Sequence, residues 1–350
     1  MLYRKYRPKK FEEIQGQEHV VKTLQGALKT QHVGHAYLFA GPRGTGKTTM
    51  ARLLAKSLLC LNRGQKGIEP CNQCALCVEI NEGRSLDLIE IDAASHTGVD
   101  DVRELTQSAR VAATSGSYKI FLIDEVHMLS KSAFNALLKT LEEPPSHVVF
   151  ILATTEPQKV PDTVLSRVQR FDFKKLDVKS IQERLTKILA AEKIKSESSA
   201  LATIAFAAQG SVRDAESLLA KIISFVTGEI TVVQVRGILG LVPLEEYANL
   251  LEFIRSGQQV QALEAIDRLF QEGTDLEYFA KQFILYLRER LIETIKGKAM
   301  PAGGITPAQL VSAINAFSRA QQSMKTAPVP QLPLELAIIE LASAKQGTAK

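Results

Sequence analysis

The sequence of 350 residues contains no tryptophan, and its aromatic residues amount to only 6%. Proteins that hold single-stranded nucleic acid through its bases need aromatic side chains on which the bases stack. The composition argues against such stacking platforms. Any contact with a nucleic acid is therefore expected to be with its sugar-phosphate backbone.

Long hydrophobic runs are also missing. No stretch approaches the roughly 20 consecutive apolar residues that a membrane-spanning helix needs. The start, MLYRKYRPKKFEEI, is basic but lacks the apolar core of a secretory signal. With 45% hydrophobic and 23% charged residues, the composition is that of a globular protein, and we expect a cytoplasmic protein that does not contact membranes.

A surplus of positive charge is present but small. The formal net charge is +5, and residues 1–175 carry 24 Lys and Arg against 19 Asp and Glu, whereas residues 176–350 carry 19 of each kind. The excess therefore lies wholly in the first half of the chain. It is compatible with phosphate binding by that half, and equally with solubility alone.

Two kinds of hydrophobic pattern divide the chain. Between residues 36 and 175, apolar runs such as AYLFA, YKIFLID and VVFILATT alternate with helical periods, which predicts the α/β class with a parallel sheet. From about residue 177 the segments read as amphipathic helices, interrupted by GKAMPAGGITP and KTAPVPQLP. We predict an α/β domain over 1–176, a small helical domain over 177–242 and an all-α domain over 243–350.

A glycine-rich segment follows the first predicted strand and opens a helix. GPRGTGKT matches G-x-x-x-x-G-K-[ST] in the context in which this loop binds nucleotide phosphates, whereas a chance glycine-rich turn needs neither flanking element. Backbone N–H groups would face the phosphates, Lys47 would reach the β and γ phosphates, and Thr48 would bind Mg²⁺. The predicted nucleotide-binding residues are Gly41, Pro42, Arg43, Gly44, Thr45, Gly46, Lys47, Thr48 and Thr49.

Two adjacent carboxylates end another predicted strand. In YKIFLIDEVHM, Asp124 and Glu125 follow four apolar residues, at the strand end where open α/β sheets bind ligands. Asp124 is expected to hold Mg²⁺ through water, and Glu125 to act as the general base that polarises the attacking water. An acidic pair at a strand end is often only a solvated terminus. Downstream of a phosphate loop, it indicates ATP hydrolysis rather than nucleotide holding alone.

All four cysteines lie within CLNRGQKGIEPCNQCALC, a loop-like stretch. The spacing C-x10-C-x2-C-x2-C supplies four thiolates over a segment short enough to surround one tetrahedral Zn²⁺. Iron–sulfur ligation is the competing interpretation, and disulfides suit a cytosolic chain less well. No redox motif accompanies the cysteines, which favours zinc. The predicted ligands are Cys60, Cys71, Cys74 and Cys77.

With these motifs on one chain, the sequence resembles the AAA+ ATPases, and within them the clamp-loader ATPases of the bacterial DNA polymerase III gamma/tau family. FLIDEVHMLSKSAFNALLKTLEEPP and LATTEPQKVPDTVLSR are similar to stretches of that family, and the resemblance runs from YRKYRPKKFEEIQGQEHV to about residue 240. It implies an AAA+ P-loop ATPase domain, a helical lid and an all-α C-terminal domain that assembles the oligomer. It also implies a zinc module inserted after the phosphate-loop helix, at about residues 60–80.

The resemblance assigns three further residues. Thr155 corresponds to the sensor that aligns the lytic water, Arg167 in LSRV to the arginine finger, and Arg213 to the second sensor that reaches the γ-phosphate of its own subunit. Without the family pattern, these positions read as a strand-end turn, a surface arginine and a helix-surface arginine. Val168 stands where the family usually has cysteine, but only the preceding arginine carries the charge.

The function implied by the resemblance is that of the ATP-hydrolysing motor subunit of the DNA polymerase III clamp loader. Its cofactors would be ATP, Mg²⁺ and Zn²⁺. Its partners would be other clamp-loader subunits in a hetero-oligomeric ring, the sliding clamp, the polymerase holoenzyme and the backbone of primer-template DNA. Longer products of the family also bind a helicase and the polymerase, and no such segment is recognised within these 350 residues.

Alternatives remain at this point. A DNA-remodelling AAA+ ATPase of the branch-migration type would share the phosphate loop and sensors but would not need the four cysteines. A non-hydrolysing scaffold subunit that binds ATP would lack Lys47 or Glu125. The segment DAASHTGVDDVREL corresponds to a region of clamp loaders that faces DNA phosphates, and it could present Ser95, Thr97 and a helix N-terminus to them. A plain capped helix explains the segment equally well.

Overall fold

The computed structural model describes residues 2–62, 67–95, 97–296 and 305–346. The chain divides into two compact units, Met1–Thr231 and Val232–Lys350. The domain boundaries that the sequence suggests at residues 176 and 242 stay predictions.

The first unit is built on a parallel sheet. Within its described residues the strands are β1 (Ala36–Ala40), β2 (Leu88–Asp92), β3 (Lys119–Asp124), β4 (Val148–Thr154) and β5 (Gln169–Asp172). They lie in the order β2-β3-β4-β1-β5. The predicted parallel α/β sheet is confirmed.

The helices in the described residues of the first unit are α1 (Leu2–Lys5), α2 (Glu18–Thr30), α3 (Lys47–Leu59), α4 (Ala75–Glu82), α5 (Val99–Ser108), α6 (Lys131–Glu142), α7 (Asp162–Leu165), α8 (Val178–Glu192), α9 (Ser198–Ala207) and α10 (Val212–Phe225). Helices α2 and α3 pack on one face of the sheet, and α5 and α6 pack on the other. Successive side chains of a strand point to opposite faces, so Tyr37 and Phe39 pack in one core with α2 and α3. Leu38 lies in the opposite core with α5 and α6. A strand buried on both faces needs a continuous apolar run, which is why AYLFA identifies β1.

Strand β5 is not predicted by the apolar pattern. Three of the four residues of its sequence QRFD are exposed, and among the described strands it lies at the edge of the sheet, next to β1. The segment therefore shows no apolar run of the kind that reveals β1, β3 and β4.

The end of the first unit is helical, as expected for a lid. Asp177 caps α8 by accepting a hydrogen bond from Ser180 N at 2.7 Å, and Ser211 caps α10 by accepting one from Asp214 N at 3.2 Å. These caps satisfy N–H groups that the first helical turn leaves unpaired. Helix α8 packs against both α9 and α10.

The second unit contains helices and no strand in its described residues. Its helices are α11 (Val232–Leu239), α12 (Leu244–Ser256), α13 (Gln259–Gln271), α14 (Leu276–Ile295), α15 (Pro307–Met324) and α16 (Leu332–Gln346). Its core is rich in aromatic rings, with Phe283 and Phe317 meeting edge to face at a centroid distance of 4.7 Å. No helix in the described part of the chain is both long and apolar enough to cross a membrane.

Asp87, which precedes β2, ties down the loop before β3. Its carboxylate is buried and accepts hydrogen bonds from the backbone N–H groups of Thr114 (2.6 Å), Ser115 (2.9 Å) and Gly116 (2.8 Å). Burial acts to raise the pKa of Asp87, but the three N–H donors and Lys119 outweigh burial, and the pKa lies below its ordinary value. The charged form therefore stabilises the native state at neutral pH.

We expect Asp87→Asn to lower the free energy of unfolding of the first unit by roughly 1 to 3 kcal/mol at pH 7. A lowered native pKa gives stability that is present above the unfolded pKa of about 3.9 and is lost as pH falls through the native pKa. The difference between variant and parent should therefore shrink below about pH 4 in urea-unfolding curves. Asp100→Asn is the control, since its side chain is 89% exposed. An equal loss at pH 7 and pH 3 would contradict the assignment.

Candidate nucleotide site and cysteine cluster

A cavity of about 740 Å³ in the first unit collects most of the predicted nucleotide-binding residues. It lies where β1 and β3 end, so the loops that follow these parallel strands both reach it. Its walls come from several parts of the first unit. These include residues 3–5, 7–9 and 13–15, residues 43–49, the α3 residues Arg52, Leu53 and Lys56, residues 80–83, the pair Asp124 and Glu125, and residues 212, 213 and 216 of α10.

The glycine-rich loop wraps around the amine of Lys47. Gly44 and Gly46 have φ angles of +75° and +99°, which glycine adopts without a steric penalty. The Lys47 side chain is buried, and its Nζ donates hydrogen bonds to Gly41 O (2.7 Å) and Pro42 O (3.0 Å). Burial lowers the pKa of Lys47, while Glu125 and Asp124 act in the opposite direction. The loop thus holds one cation beside the two carboxylates.

The oxygen ligands expected for Mg²⁺ lie together. Thr48 Oγ1 donates a hydrogen bond of 2.7 Å to Asp124 Oδ2, which joins the start of α3 to the end of β3. Hydroxyl and carboxylate oxygens are the ligand type that Mg²⁺ prefers, so the two side chains fit this ion.

Glu125 and Thr155 meet because β3 and β4 are neighbours in the sheet. Glu125 has a left-handed backbone with φ of +48°. Its Oε2 accepts hydrogen bonds from Thr155 Oγ1 at 2.9 Å and from Thr155 N at 3.2 Å. The two donors fix the orientation of a carboxylate whose neighbour in sequence, Asp124, faces Thr48.

Sequence reasoning did not single out His127, whose side chain is 6% exposed. Its Nδ1 lies 3.0 Å from Thr154 Oγ1 and 3.4 Å from Glu125 Oε2, and its Nε2 lies 3.3 Å from Glu156 Oε1. The sequence feature that could have indicated this residue is the histidine two positions after Glu125 in DEVHM. A 3₁₀ turn over Val126–Met128 directs its imidazole back towards the strand end.

The first turn of α10 contacts the phosphate loop directly. Val212 N donates a hydrogen bond of 3.1 Å to Gly44 O, and a Cβ atom at residue 44 would lie only 1.9 Å from Ser211 Oγ. Arg213, the next residue of α10, lines the cavity with its guanidinium 5.1 Å from the centre of the Tyr3 ring. The predicted second sensor thus shares the cavity with the phosphate loop.

Arg167 lies elsewhere in the first unit. It lines a second, open cavity of about 590 Å³ together with His35, Glu142 and Val168. Its guanidinium forms an ion pair of 2.5 Å with Glu142 and donates a hydrogen bond of 2.6 Å to Thr163 O. The structure therefore brings Lys47, Thr48, Asp124, Glu125, Thr155 and Arg213 together but leaves Arg167 apart from them.

The four cysteines form one cluster. Their Sγ atoms all lie within 4.8 Å of one another, and those of Cys71 and Cys77 are 3.9 Å apart. A tetrahedral zinc with Zn–S bonds of about 2.3 Å requires S···S separations of about 3.8 Å, so the cluster fits one such ion. The description of residues 60–77 as a loop is wrong for Cys77, which lies on α4, and residues 63–66 of the predicted insertion lie outside the described residues.

The region around Ser95 and Thr97 is an exposed turn before α5. Gly98 N donates a hydrogen bond of 3.3 Å to Asp101 Oδ2, so this helix start carries its own carboxylate cap. Contact of Ser95 and Thr97 with DNA phosphates stays a prediction.

Family models match nearly the whole chain. Residues 16–177 match the model described as DNA polymerase III, delta subunit. Residues 180–228 match the DNA polymerase III clamp loader subunit, ATPase lid domain. Residues 230–350 match DNA polymerase III subunits gamma and tau domain III.

Curated relatives give the same family. DNA polymerase III subunit tau of Bacillus subtilis is 42% identical over 99% of this chain and 64% of the relative. The corresponding subunit of Escherichia coli is 49% identical over 75% of this chain and 41% of the relative. DNA polymerase III subunit gamma of Buchnera aphidicola subsp. Acyrthosiphon pisum is 46% identical over 82% of this chain and 79% of the relative. The chain thus spans less than two thirds of the Bacillus subtilis and Escherichia coli subunits.

Among solved structures, the RuvB Holliday junction branch migration motor of Thermotoga maritima has a similar fold. The TM-score is 0.51 at 21% sequence identity, over 71% of this chain and 79% of that chain. At this identity the likeness concerns the fold alone, and it agrees with the predicted AAA+ architecture.

Proposed function

The chain belongs to the gamma/tau family of bacterial DNA polymerase III subunits, and we propose that it is an ATP-hydrolysing motor subunit of the clamp loader. In this role it works in the cytoplasm, where it joins other clamp-loader subunits in a hetero-oligomeric ring. The ring loads the sliding clamp onto primer-template DNA and serves the polymerase holoenzyme. Residues 1–176 would form the ATPase domain, residues 177–242 the lid and residues 243–350 the oligomerisation domain.

One observation carries this proposal. A phosphate loop, a Thr48–Asp124 hydrogen bond of 2.7 Å and a Glu125–Thr155 hydrogen bond of 2.9 Å converge at the ends of adjacent strands. A scaffold subunit that only bound ATP would not need a carboxylate oriented by two hydrogen-bond donors beside the phosphate loop.

The site residues divide the work of hydrolysis. The N–H groups of residues 41–49 and the amine of Lys47 would bind the phosphates of ATP. Thr48 and Asp124 would hold Mg²⁺, which neutralises charge on the phosphate oxygens. Glu125 would take a proton from the attacking water, and Thr155 would fix the direction of the carboxylate. Arg213 would reach the γ-phosphate from the lid, and Arg167 would act on a neighbouring subunit.

The test measures ATP turnover by the chain assembled with its clamp-loader partners, with and without primed DNA and the sliding clamp. Stimulation that requires both the clamp and primed DNA is expected. Turnover stimulated by branched DNA without a clamp would favour the branch-migration type. Binding of ATP with no turnover under any condition would favour a scaffold subunit.

We propose that Cys60, Cys71, Cys74 and Cys77 hold one Zn²⁺ that stabilises the fold and supplies no reacting group. Four thiolates close the coordination shell and leave no position for a reacting water. Elemental analysis should find about one zinc per chain. Cys77→Ser should lose the metal and lower the midpoint of thermal unfolding, whereas Ser85→Ala, which follows α4 and is not one of the clustered residues, should retain the metal and the parental midpoint. Absence of zinc, or iron in its place, would contradict this proposal.

A further inference from the structure

The cysteine module, meaning here residues 60–62 and 67–83, reaches the nucleotide cavity. Its helix α4 carries Cys77 near one end, and the other end, with residues 80–83, lines the cavity. The same cavity is lined by Lys56 of α3, the helix that begins at the phosphate loop. The cluster of thiols and the nucleotide site are therefore parts of one contiguous structure.

Asn72, between two of the cysteines, is the centre of the connection. Its Oδ1 accepts a hydrogen bond of 2.6 Å from Lys56 Nζ, and its Nδ2 donates one of 3.1 Å to Lys9 O. The backbone of Asn72 is left-handed with φ of +58°, a conformation that asparagine tolerates better than most residues. One amide group thereby links the module to α3 and to the N-terminal segment.

Lys56 depends on this amide. The residue is 3% exposed, and its Nζ donates to two amide oxygens, those of Asn72 and of Asn81 at 3.0 Å. Both oxygens come from the cysteine module. A buried ammonium group that loses a hydrogen-bond partner is strongly destabilised, so the position of Lys56 in the cavity wall follows the position of the module.

A second contact fixes the N-terminal segment. Glu69 accepts a hydrogen bond of 2.9 Å from Phe11 N and another of 3.2 Å from Gln25 Nε2. Phe11 is buried, and in sequence it lies between Lys9 and Glu13, which both line the cavity. The module thus holds residues 9 to 11 at two points.

We propose that the cysteine module is a positioning element for the nucleotide, which sets the affinity of the cavity for ATP and ADP by fixing residues 9–11 and Lys56. This inference rests on the proposed function, because it takes the cavity to be the nucleotide site. The module supplies no group to the reaction. Loss of the contacts that the module makes with these residues is expected to weaken nucleotide binding and raise the KM for ATP, while kcat stays nearly unchanged.

The test compares equilibrium binding of ADP with Mg²⁺, measured by calorimetry on the full chain, in Asn72→Gly and in the parent. Glycine keeps the left-handed backbone and removes only the amide. The Kd for ADP should rise about tenfold, equivalent to about 1.4 kcal/mol. The KM for ATP should rise in parallel, while kcat stays within about twofold. Gln73→Ala, an exposed neighbour in the same module, should bind ADP like the parent.

Zinc content, measured on each variant, separates the outcomes. Unchanged ADP binding by an Asn72→Gly protein that retains its zinc would overturn the inference. If Asn72→Gly loses zinc, the Glu69→Ala variant provides the test instead. Weaker ADP binding by a Glu69→Ala protein that retains zinc supports the inference, and unchanged ADP binding by Glu69→Ala overturns it. If the parent itself fails to bind ADP, the proposed function fails together with the inference, whereas binding by the parent and equally by both variants refutes the inference alone.

Discussion

A Glu125→Gln variant is expected to bind ATP about as well as the parent and to hydrolyse it about 10²- to 10⁴-fold more slowly, the range over which a general base contributes. Glutamine has the same shape as glutamate, and its amide oxygen can still accept the hydrogen bonds that Thr155 donates to Glu125 at 2.9 and 3.2 Å. It cannot take a proton from water. The substitution therefore removes the base and leaves the surrounding geometry in place.

Two measurements check this expectation. Calorimetry gives the affinity for ATP, and phosphate release in a single turnover gives the rate of the chemical step. Glu143→Gln, an exposed position after α6, is the matched control and should leave both unchanged. Turnover of Glu125→Gln at the parental rate would mean that another group activates the water, and the position of His127, 3.4 Å from the same carboxylate, would make it the next candidate.

Arg167→Ala is expected to lose about 10³- to 10⁵-fold in the rate of hydrolysis, the effect of a fully supplied arginine finger, while ATP binding is retained. Arg167 lines a cavity with His35 and Glu142 rather than the cavity of its own phosphate loop. A cation in that place reaches a γ-phosphate only if a second subunit brings its nucleotide there. Lys47→Ala, in contrast, should weaken ATP binding, because Lys47 belongs to the phosphate loop.

Mixing the two variants tests the arrangement. A Lys47→Ala subunit can donate its intact Arg167 to the intact phosphate loop of an Arg167→Ala neighbour, so mixed assemblies should recover activity that neither variant shows alone. Arg170→Ala serves as the control, since in the described part of the chain the Arg170 side chain forms its ion pair with the exposed Asp172. Mixtures that remain inactive, although native mass spectrometry shows that the two variants assemble together, would reject action across a subunit boundary.

The parts of the fold that the sequence predicts are those whose cause is local. Strand β1 and helix α3 coincide with AYLFA and KTTMARLLAKSLL. Burial on both faces of a strand and helical periodicity each produce a recognisable hydrophobic pattern over consecutive residues. The glycines of the phosphate loop are readable for the same reason, since only glycine adopts the φ angles of +75° and +99° at low cost.

What the sequence does not predict depends on partners far along the chain. Gln17 is buried because its side chain bonds both backbone groups of Lys174, 157 residues away, at 2.7 and 3.1 Å. The neighbouring positions of β3 and β4 bring His127 to Glu156, and the pairing of Arg167 with Glu142 joins the turn after α7 to the end of α6. Helix α4 is short, and Cys77 and Asn81 occupy positions in it that serve the thiol cluster and Lys56, so its sequence shows little helical hydrophobic pattern.

Because the first turn of α10 contacts Gly44, a movement of the phosphate loop would tilt this helix. A helix of 14 residues is about 21 Å long, so a tilt of about 10° imposed at its start displaces its far end by about 4 Å. The far end carries Phe225, which is 70% exposed. A shift of the phosphate loop that tilted the first turn of α10 would therefore be larger at Phe225 than at Gly44.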